Sequence, residues 1–185
     1  MVTNSAIILA AGASERLGTH KALVEVGNQT LIESVFNRLE QANLEVTIVT
    51  RGSLADSIRT LLPEANVIVN PNPEQGRTGT IQCGINEIGI GPVLIVPVDR
   101  PGFSLDTANL LCRMETTTAP EYNGRGGHPI ALASQDCEVI IQAQPDVPLR
   151  NLINDSRIEV KDPHLHLNID TSSDVEEMLR VADSL

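Results

Sequence analysis

A loop rich in small residues and cations follows the first apolar run of the chain. Residues 6–10 are apolar, residues 11–13 are small, and Arg16 and Lys21 come next. Small residues let a backbone approach a ligand closely, and successive N–H groups of such a loop can hold an anion. Lysine is rare here, since Lys161 is the only other one. The pattern favours phosphate binding by this loop; the alternative is an ordinary strand-to-helix connection with two surface cations.

A carboxylate stands directly after another apolar run. Residues 93–96 are aliphatic, and Asp99 follows them within three residues. In a parallel sheet, ligands bind beyond the carboxyl ends of the strands, so this side chain is expected to face the first loop. Mg²⁺ takes oxygen ligands and is often held by one or two carboxylates together with substrate phosphates. The sequence therefore predicts Asp99 as a ligand of Mg²⁺.

The elements that must position these residues alternate along the chain. Apolar runs predict buried strands at 6–10, 46–49, 67–69 and 93–96, and helical spacing predicts helices at 31–39, 54–62 and 79–88. Apolar strands separated by helices indicate a mainly parallel sheet covered on both faces. Right-handed crossovers then give a Rossmann-like α/β fold, a three-layer α/β/α sandwich. In the last third, a strand is expected at 129–133, a helix near 149–153 and a final helix from Asp174.

Composition excludes several classes of function. The length of 185 residues fits a single domain, expected to span residues 1–185. With 13 Lys+Arg against 24 Asp+Glu the net charge is −11, which disfavours nucleic-acid and membrane partners. Three dispersed cysteines suggest a reducing, cytoplasmic location. No stretch approaches the roughly 20 apolar residues of a membrane helix.

The first loop carries a family resemblance. The segment LAAGASERLGTHKALVEVGNQTLIE resembles the signature LAAGxSxRxGxxKxL of nucleotidyltransferases with the pyrophosphorylase-type fold, the MobA-like NTP transferases. The resemblance implies a sandwich of the nucleotide-diphospho-sugar transferase type, whose first loop wraps a nucleoside triphosphate. The implied nucleotide contacts come from Leu9, Ala10, Ala11, Gly12, Ser14, Arg16 and Lys21, with Arg16 and Lys21 on the phosphates.

A second segment, residues 70–85, resembles the family pattern NPxxxxGMxxSLxxGL. Arg77 stands where relatives usually carry methionine, and Gly79 where they carry serine, so the identity of the base stays open. A turn followed by a helix N-cap would use the same residue types. The implied nucleotide contacts are Asn70, Thr80 and Gly84.

Two segments resemble metal-binding motifs of the family. Asp99 falls in a segment similar to [CVG]-D-x-P, whose aspartate holds a metal ion, which strengthens its assignment to Mg²⁺. Residues 167–175 resemble the closing motif DIDTPEDL, with Asn168 in place of the first aspartate. Either Asn168 or Asp170 could supply a second metal ligand, and Asp170 is favoured for its charge. Capping of the last helix by neighbouring hydroxyl side chains is the alternative.

The segment NGRGGHPI, residues 123–130, resembles the GxRGHPV segment of molybdenum cofactor cytidylyltransferase-like proteins. In that branch the segment lies over the acceptor half of the cleft. The resemblance implies that Arg125 and His128 hold an anionic acceptor.

Together the resemblances imply a Mg²⁺-dependent nucleotidyltransferase. It would move a nucleoside monophosphate from an NTP, with CTP favoured, to a phosphate-bearing acceptor such as molybdopterin, releasing pyrophosphate. The implied catalytic residues are Arg16, Lys21 and Asp99. Two alternatives stay open: a nucleotidyltransferase acting on a sugar or alcohol phosphate, and a non-catalytic relative that binds a nucleotide or a partner.

Overall fold

The fold is built on strands that the sequence marks by their apolar side chains. The computed structural model describes residues 3–13 and 20–181. Its strands are β1 Ser5–Ala10, β2 Glu25–Val26, β3 Gln29–Thr30, β4 Glu45–Thr50, β5 Asn66–Val69, β6 Val93–Pro97, β7 Thr118–Tyr122, β8 Arg125–Gly126, β9 Ile130–Leu132 and β10 Ser156–Glu159. Its α-helices are α1 Leu31–Gln41, α2 Gly52–Leu61, α3 Arg77–Ile88, α4 Leu105–Leu111, α5 Ser134–Gln142 and α6 Ser172–Val181. Of these helices, none is long and apolar enough to cross a bilayer.

The main sheet is mostly parallel. Its strand order is β10-β7-β9-β6-β1-β4-β5, and β8 pairs with β7 outside this path. The central pairs β6–β1, β1–β4 and β4–β5 are parallel, whereas β9 runs antiparallel to both β6 and β7. The predicted mainly parallel sheet is confirmed.

Helices cover both faces of the sheet and form three layers. Alternate residues of β1 point to opposite faces, as strand geometry requires. Ile8 packs with buried residues of α1, α2, α4 and α6, while Ile7 packs with those of α3 and α5. The predicted three-layer sandwich is therefore confirmed.

The C-terminal third differs in detail from its prediction. The strand expected at 129–133 is β9, and the helix expected near 149–153 is a single 3₁₀ turn, Leu149–Asn151. The apolar pattern missed β7, which polar residues and a proline interrupt, and β10, in which three of four residues are polar or charged. Strand β10 lies at the edge of the sheet and is largely exposed, so it needs no continuous apolar run.

A buried arginine anchors the loop that follows β6. The Arg38 side chain, from α1, donates hydrogen bonds to the carbonyl oxygens of Pro101 and Phe103 and lies over the Phe103 ring. Burial lowers the pKa of Arg38 to about 10, and the charge of Asp162 opposes that shift. The guanidinium therefore stays protonated at neutral pH and fixes the loop that begins just after Asp99.

The chain returns to the same loop near its C-terminal end. The carboxylate of Asp162 accepts a hydrogen bond from the Ser104 N–H at 2.8 Å. A Cβ atom on Gly102 would lie 1.8 Å from the carbonyl oxygen of His164, so only glycine permits this backbone contact. The Ile169 N–H donates to the carbonyl oxygen of Asp99 at 3.0 Å. These contacts bring residues 162–170 to the carboxyl end of β6.

We predict that Gly84→Ala destabilises the fold. A Cβ atom at this position would lie 2.7 Å from two atoms of the fully buried Ile7 side chain. Overpacking costs about 1–3 kcal/mol and outweighs the gain of up to about 1 kcal/mol in helix propensity. We expect chemical denaturation to show a free energy of unfolding lower by about 1–2 kcal/mol.

The matched control is Gly52→Ala in α2, where the new methyl would meet its nearest neighbour at 3.9 Å. That variant is expected to keep or gain stability. In an Ile7→Ala background the cost of Gly84→Ala should shrink, because the clashing atoms are gone. An equal cost in both backgrounds would contradict the packing explanation.

Candidate active site

The loops after β1 and β6 start side by side. Leu9 pairs with Pro97 in the parallel register, and the Val98 N–H donates to the carbonyl oxygen of Leu9 at 3.2 Å. A cavity of about 270 Å³ opens at this edge of the sheet. Its lining includes Leu9, Ala10, Ala11, Gly12, Ala13, Lys21, Arg77, Thr80 and Asp99. The residues predicted for nucleotide binding in the first loop thus share one cavity, apart from Ser14 and Arg16, which lie outside the described residues.

Side chains from β4 and its following residue hold the first loop in place. The Thr50 hydroxyl donates to the carbonyl oxygen of Ala10, and the Arg51 Nε to that of Ala11 at 3.1 Å. Leu9, Ala10 and Ala11 are buried, and the chain then emerges at Gly12. A Cβ atom on Gly12 would meet nothing within 4 Å, so the space beside its backbone is open to a ligand.

One ammonium group joins two carboxylates in this cavity. The Lys21 Nζ donates to Asp99 Oδ2 at 3.2 Å and also to Asp170 Oδ1. The Lys21 side chain is 16% exposed, against 21% for Asp99 and 35% for Asp170, so all three are partly shielded from water. At this depth the ion pairs are stronger than on an open surface, and each carboxylate is kept near its like-charged neighbour by the shared cation.

Two carboxylates near the start of α6 have different roles: that of Asp170 contacts Lys21, and that of Asp174 caps the helix. The Asp174 carboxylate accepts from the N–H groups of Asp170 and Thr171, and these hydrogen bonds lower the pKa of Asp174. Together with the Thr171 side chain they cap α6, so the capping role foreseen for this segment is present. The Asp170 carboxylate instead faces Lys21 and accepts a hydrogen bond from the Asn168 amide.

The donor set suits a small hard cation. Asp99 and Asp170 present carboxylate oxygens to one point, and Mg²⁺ commonly takes one or two carboxylates while phosphates and waters complete its shell. No group of three or more His, Cys, Asp or Glu side chains within residues 3–13 and 20–181 could hold a metal ion. The residues therefore fit Mg²⁺ bound together with a phosphorylated ligand better than an ion held by the protein alone.

The predicted base-contacting residues fall in different places. The Asn70 Nδ2 donates to the Thr80 hydroxyl oxygen at 3.1 Å, and Asn70 Oδ1 accepts from the Asn72 N–H, so Asn70 shapes the turn after β5. Thr80 lines the cavity beside the first loop. Gly84, in α3, does not line that cavity, because it packs against the Ile7 side chain of β1.

A second cavity, of about 550 Å³, adjoins the first. Three arginines line it, of which Arg157 pairs with Asp155 at 2.9 Å. Its apolar wall comes from aliphatic side chains of β6, β9 and the turn near residue 150. The lining includes Arg77, Ile95, Gly126, Gly127, His128, Ile130, Leu149, Arg150, Ile153 and Arg157. In a chain of net charge −11, this concentration of cations favours an anionic ligand.

Of the two residues predicted to hold the acceptor, the structure brings one to this cavity. His128 lines it, whereas Arg125 is exposed and its carbonyl oxygen contacts the His166 ring at 2.8 Å. Burial, then the charges of Arg77 and Arg100, lower the pKa of His128 to about 4, although Asp99 opposes the shift. His128 is therefore neutral at pH 7 and offers a hydrogen bond rather than a charge.

Sequence reasoning did not find the role of Arg157 or the position of Arg77. Arg157 lies on β10, a polar strand without a motif, and its guanidinium covers Gly126, where a Cβ atom would lie 1.5 Å from Nη1. The sequence shows Arg77 only as a departure from the family pattern within residues 70–85. Its place between the cavities depends on how α3 begins, which spacing alone does not reveal.

Comparison with known protein families gives one family-model match. Residues 6–160 match the MobA-like NTP transferase domain. Asp170 lies beyond the matched range, although it contacts Lys21, which lies within that range.

Named relatives cover the chain to different extents. A molybdenum cofactor guanylyltransferase from Vibrio atlanticus is 34% identical over 108 residues, covering 57% of this chain and 54% of that protein. A molybdenum cofactor cytidylyltransferase from Escherichia coli is 26% identical over 176 residues, covering 91% of both. The chain thus aligns with about half of the first protein and nearly all of the second.

The same fold occurs in solved structures. That of Rv0371c from Mycobacterium tuberculosis superposes with a TM-score of 0.79 at 20% identity, covering 97% of this chain and 99% of that chain. A complex of Rv0371c with manganese gives a TM-score of 0.74 at 17% identity, covering 95% and 97%. At these identities the likeness concerns the fold.

The depressed pKa of His128 predicts a pH dependence of stability. The pKa is about 4 in the folded protein and near 6.5 in the unfolded chain. Between these values the unfolded chain binds more protons, so the free energy of unfolding falls as the pH is lowered from 6.5 to 4. We expect His128→Asn to flatten this part of the profile, measured by urea denaturation at closely spaced pH values.

Carboxylates also titrate near pH 4, so the informative quantity is the difference between wild type and variant. His164→Asn controls for removal of an imidazole outside the cavity. Identical slopes for wild type and His128→Asn between pH 6.5 and 5 would contradict the neutral, buried state of His128.

Proposed function

The chain belongs to the MobA-like NTP transferase family, and we propose that it transfers a nucleoside monophosphate from an NTP to a phosphate-bearing acceptor. In this reaction an oxygen of the acceptor phosphate forms a bond to the α-phosphorus. The bond from the α-phosphorus to the bridging oxygen breaks, and pyrophosphate leaves with the electron pair.

The observation that carries the proposal is the meeting of Lys21, Asp99 and Asp170 in the cavity beside the first loop. The Lys21 ammonium group is shared by two carboxylates at the carboxyl ends of parallel strands. Such a cation can exchange its carboxylate partners for the phosphate oxygens of a ligand. Lys21 can turn from the carboxylates to phosphate oxygens of a nucleotide, because both are anionic acceptors for its ammonium group. Arg16, predicted to assist on the phosphates, remains a prediction.

The attacking group needs no general base. A phosphate monoester is largely ionised at neutral pH, since its second pKa is near 6. The protein's task is then to position two negatively charged groups and to reduce the repulsion between them. In this proposal neutral His128 and the arginines that line the second cavity bind the acceptor without removing a proton from it.

We propose that Asp99 and Asp170 hold Mg²⁺ together with the triphosphate. When bound, Mg²⁺ supplies neutralisation of the charge that develops on the α-phosphoryl group and on the leaving pyrophosphate. A protein of the same fold forms a complex with manganese, which supports a divalent cation here and recommends Mn²⁺ as a second test ion.

We propose CTP as the nucleotide and molybdopterin as the acceptor. The similarity to a molybdenum cofactor cytidylyltransferase runs over nine-tenths of this chain, whereas that to a guanylyltransferase covers just over half. The second cavity supports a phosphorylated acceptor with an apolar body, since arginines and aliphatic side chains line it together.

The first test is binding of CTP, GTP, ATP and UTP by isothermal titration calorimetry, with Mg²⁺ and with EDTA. We expect CTP to bind most tightly and its affinity to fall at least about tenfold without the metal or in Asp99→Asn, because one metal ligand carries much of the phosphate recognition. Asp56→Asn is the charge-matched control, since its side chain is 99% exposed and lies on α2.

Preference for another base would keep a nucleotidyltransferase and remove the cytidylyl assignment. If none of the four nucleotides binds, the proposed function is refuted. Equal losses in Asp99→Asn and Asp56→Asn would remove Asp99 from the site.

The second test is pyrophosphate release with CTP and molybdopterin. Lys21→Met and Asp99→Asn are each expected to lower the rate at least about 100-fold, as loss of a charge-stabilising group does. Both should leave the free energy of unfolding within about 1–2 kcal/mol of wild type, because neither side chain belongs to the hydrophobic core. Lys161→Met is the control, since the chain has one other lysine and it is exposed.

Collapse of folding in Lys21→Met or Asp99→Asn would show a structural role instead. A rate for Lys21→Met close to that of Lys161→Met would remove Lys21 from catalysis.

A further inference from the structure

Arg77 stands at the boundary between the two cavities. It lines the cavity beside the first loop and also the larger one that holds His128. Of the described residues, only Pro97 is likewise common to both, and its side chain carries no charge. Arg77 is therefore the one ionic side chain, among the residues the structure describes, that faces both spaces.

The guanidinium group of Arg77 is available to a ligand. Its side chain is exposed, and no described residue forms a hydrogen bond or ion pair with it. Arg157 differs, because Asp155 already pairs with it. The charge of Arg77 nevertheless reaches into the second cavity, where it is among the causes that lower the pKa of His128.

The backbone around Arg77 is occupied by another loop. At the start of α3, the Gly79 N–H donates to the carbonyl oxygen of Pro145 at 3.1 Å, and the Thr78 hydroxyl to that of Val147 at 2.6 Å. A Cβ atom on Gly79 would lie 3.0 Å from the Pro145 side chain. The Gly79 N–H is thus not available to an anion, whereas the Arg77 side chain is.

The same contacts fix the two cavities relative to each other. The loop that Thr78 and Gly79 hold leads directly to Arg150, a further arginine of the second cavity. Arg77 and Arg150 are thereby carried by one connected unit of backbone. A ligand that spans the boundary meets a preset arrangement of charges instead of two independent loops.

We propose that Arg77 binds both substrates at once, the nucleotide α-phosphate from one side and the acceptor phosphate from the other. This inference rests on the proposed function. Two phosphates must approach within bonding distance, and their repulsion is reduced by a cation placed between them. A guanidinium group suits this position because its planar set of five donors can serve two oxyanions together. Methionine, which the family pattern has at this position, could not do this because it carries no charge.

The test compares two ligands on one set of variants. The first probe is CTP with Mg²⁺. The second is inorganic phosphate, titrated into protein saturated with Mg²⁺ and α,β-methylene-CTP, whose carbon bridge blocks transfer and whose phosphates fill the first cavity. The variants are Arg77→Met, Arg77→Lys, Arg150→Met and, as a control, Arg113→Met on the exposed turn after α4. Melting curves establish that each variant is folded.

Arg77→Met is expected to weaken CTP about fivefold and phosphate about tenfold, because charge-assisted hydrogen bonds to both are lost. Arg150→Met should weaken phosphate alone, and Arg113→Met neither. Arg77→Lys should recover part of both affinities, since it restores the charge but not the planar fork.

Loss of one ligand alone in Arg77→Met would assign Arg77 to a single cavity and overturn the inference. Unchanged affinities of Arg77→Met for both ligands would also overturn the inference. The same holds if the nucleotide-saturated wild type does not bind phosphate. Failure of the wild type to bind any of the four nucleotides would instead refute the proposed function, and this inference with it.

Discussion

The site depends on a balance of charge around one ammonium group. Asp99 and Asp170 could not lie so near each other inside a cavity without a cation, because like charges in a partly shielded space repel strongly. Lys21 supplies that cation and ties the first loop to two distant parts of the chain. Under the proposed function, a metal ion and a triphosphate would restore the balance of charge, since two cations would then face several anions.

The rest of the fold keeps this cluster from drifting apart. On one side Arg38, buried and protonated, fixes the loop after β6 through two carbonyl oxygens. On the other side the contact of Gly102 with His164 and the hydrogen bond from Ile169 to Asp99 hold the returning segment. Asp99 lines the cavity beside the first loop, whereas Arg38, Gly102, His164 and Ile169 do not. They replace the rigidity that a strand would give, because Asp99 and Asp170 both lie in irregular backbone.

Local patterns sufficed for the parts of the molecule that are apolar or matched by a motif. The strands β1, β4, β5 and β6 followed from their apolar runs, although β5 is only partly buried, and α1 to α3 followed from helical spacing. The loop motif led to Lys21 and a separate motif after β6 led to Asp99, and the two side chains meet in the structure. Asp170 could be named from its motif. Its contact with Lys21 could not be predicted, because the two residues lie 149 positions apart in the sequence. Strands β7 and β10, and the position of Arg77 at the boundary of the two cavities, could not be predicted. Polar strands have no hydrophobic period, and the place of Arg77 depends on tertiary contacts between α3 and residues 145–147.

Asp99 and Ile169, which share a backbone hydrogen bond, emerge from the ribosome at different times during synthesis. A ribosome delivers the chain from its N-terminus, so β1, β4, β5 and β6 can assemble while residues beyond 160 are still untranslated. Until Ile169 and Asp170 emerge, Lys21 and Asp99 have one another but lack the second carboxylate. A nascent chain therefore acquires its sheet well before it acquires its complete cluster of charges.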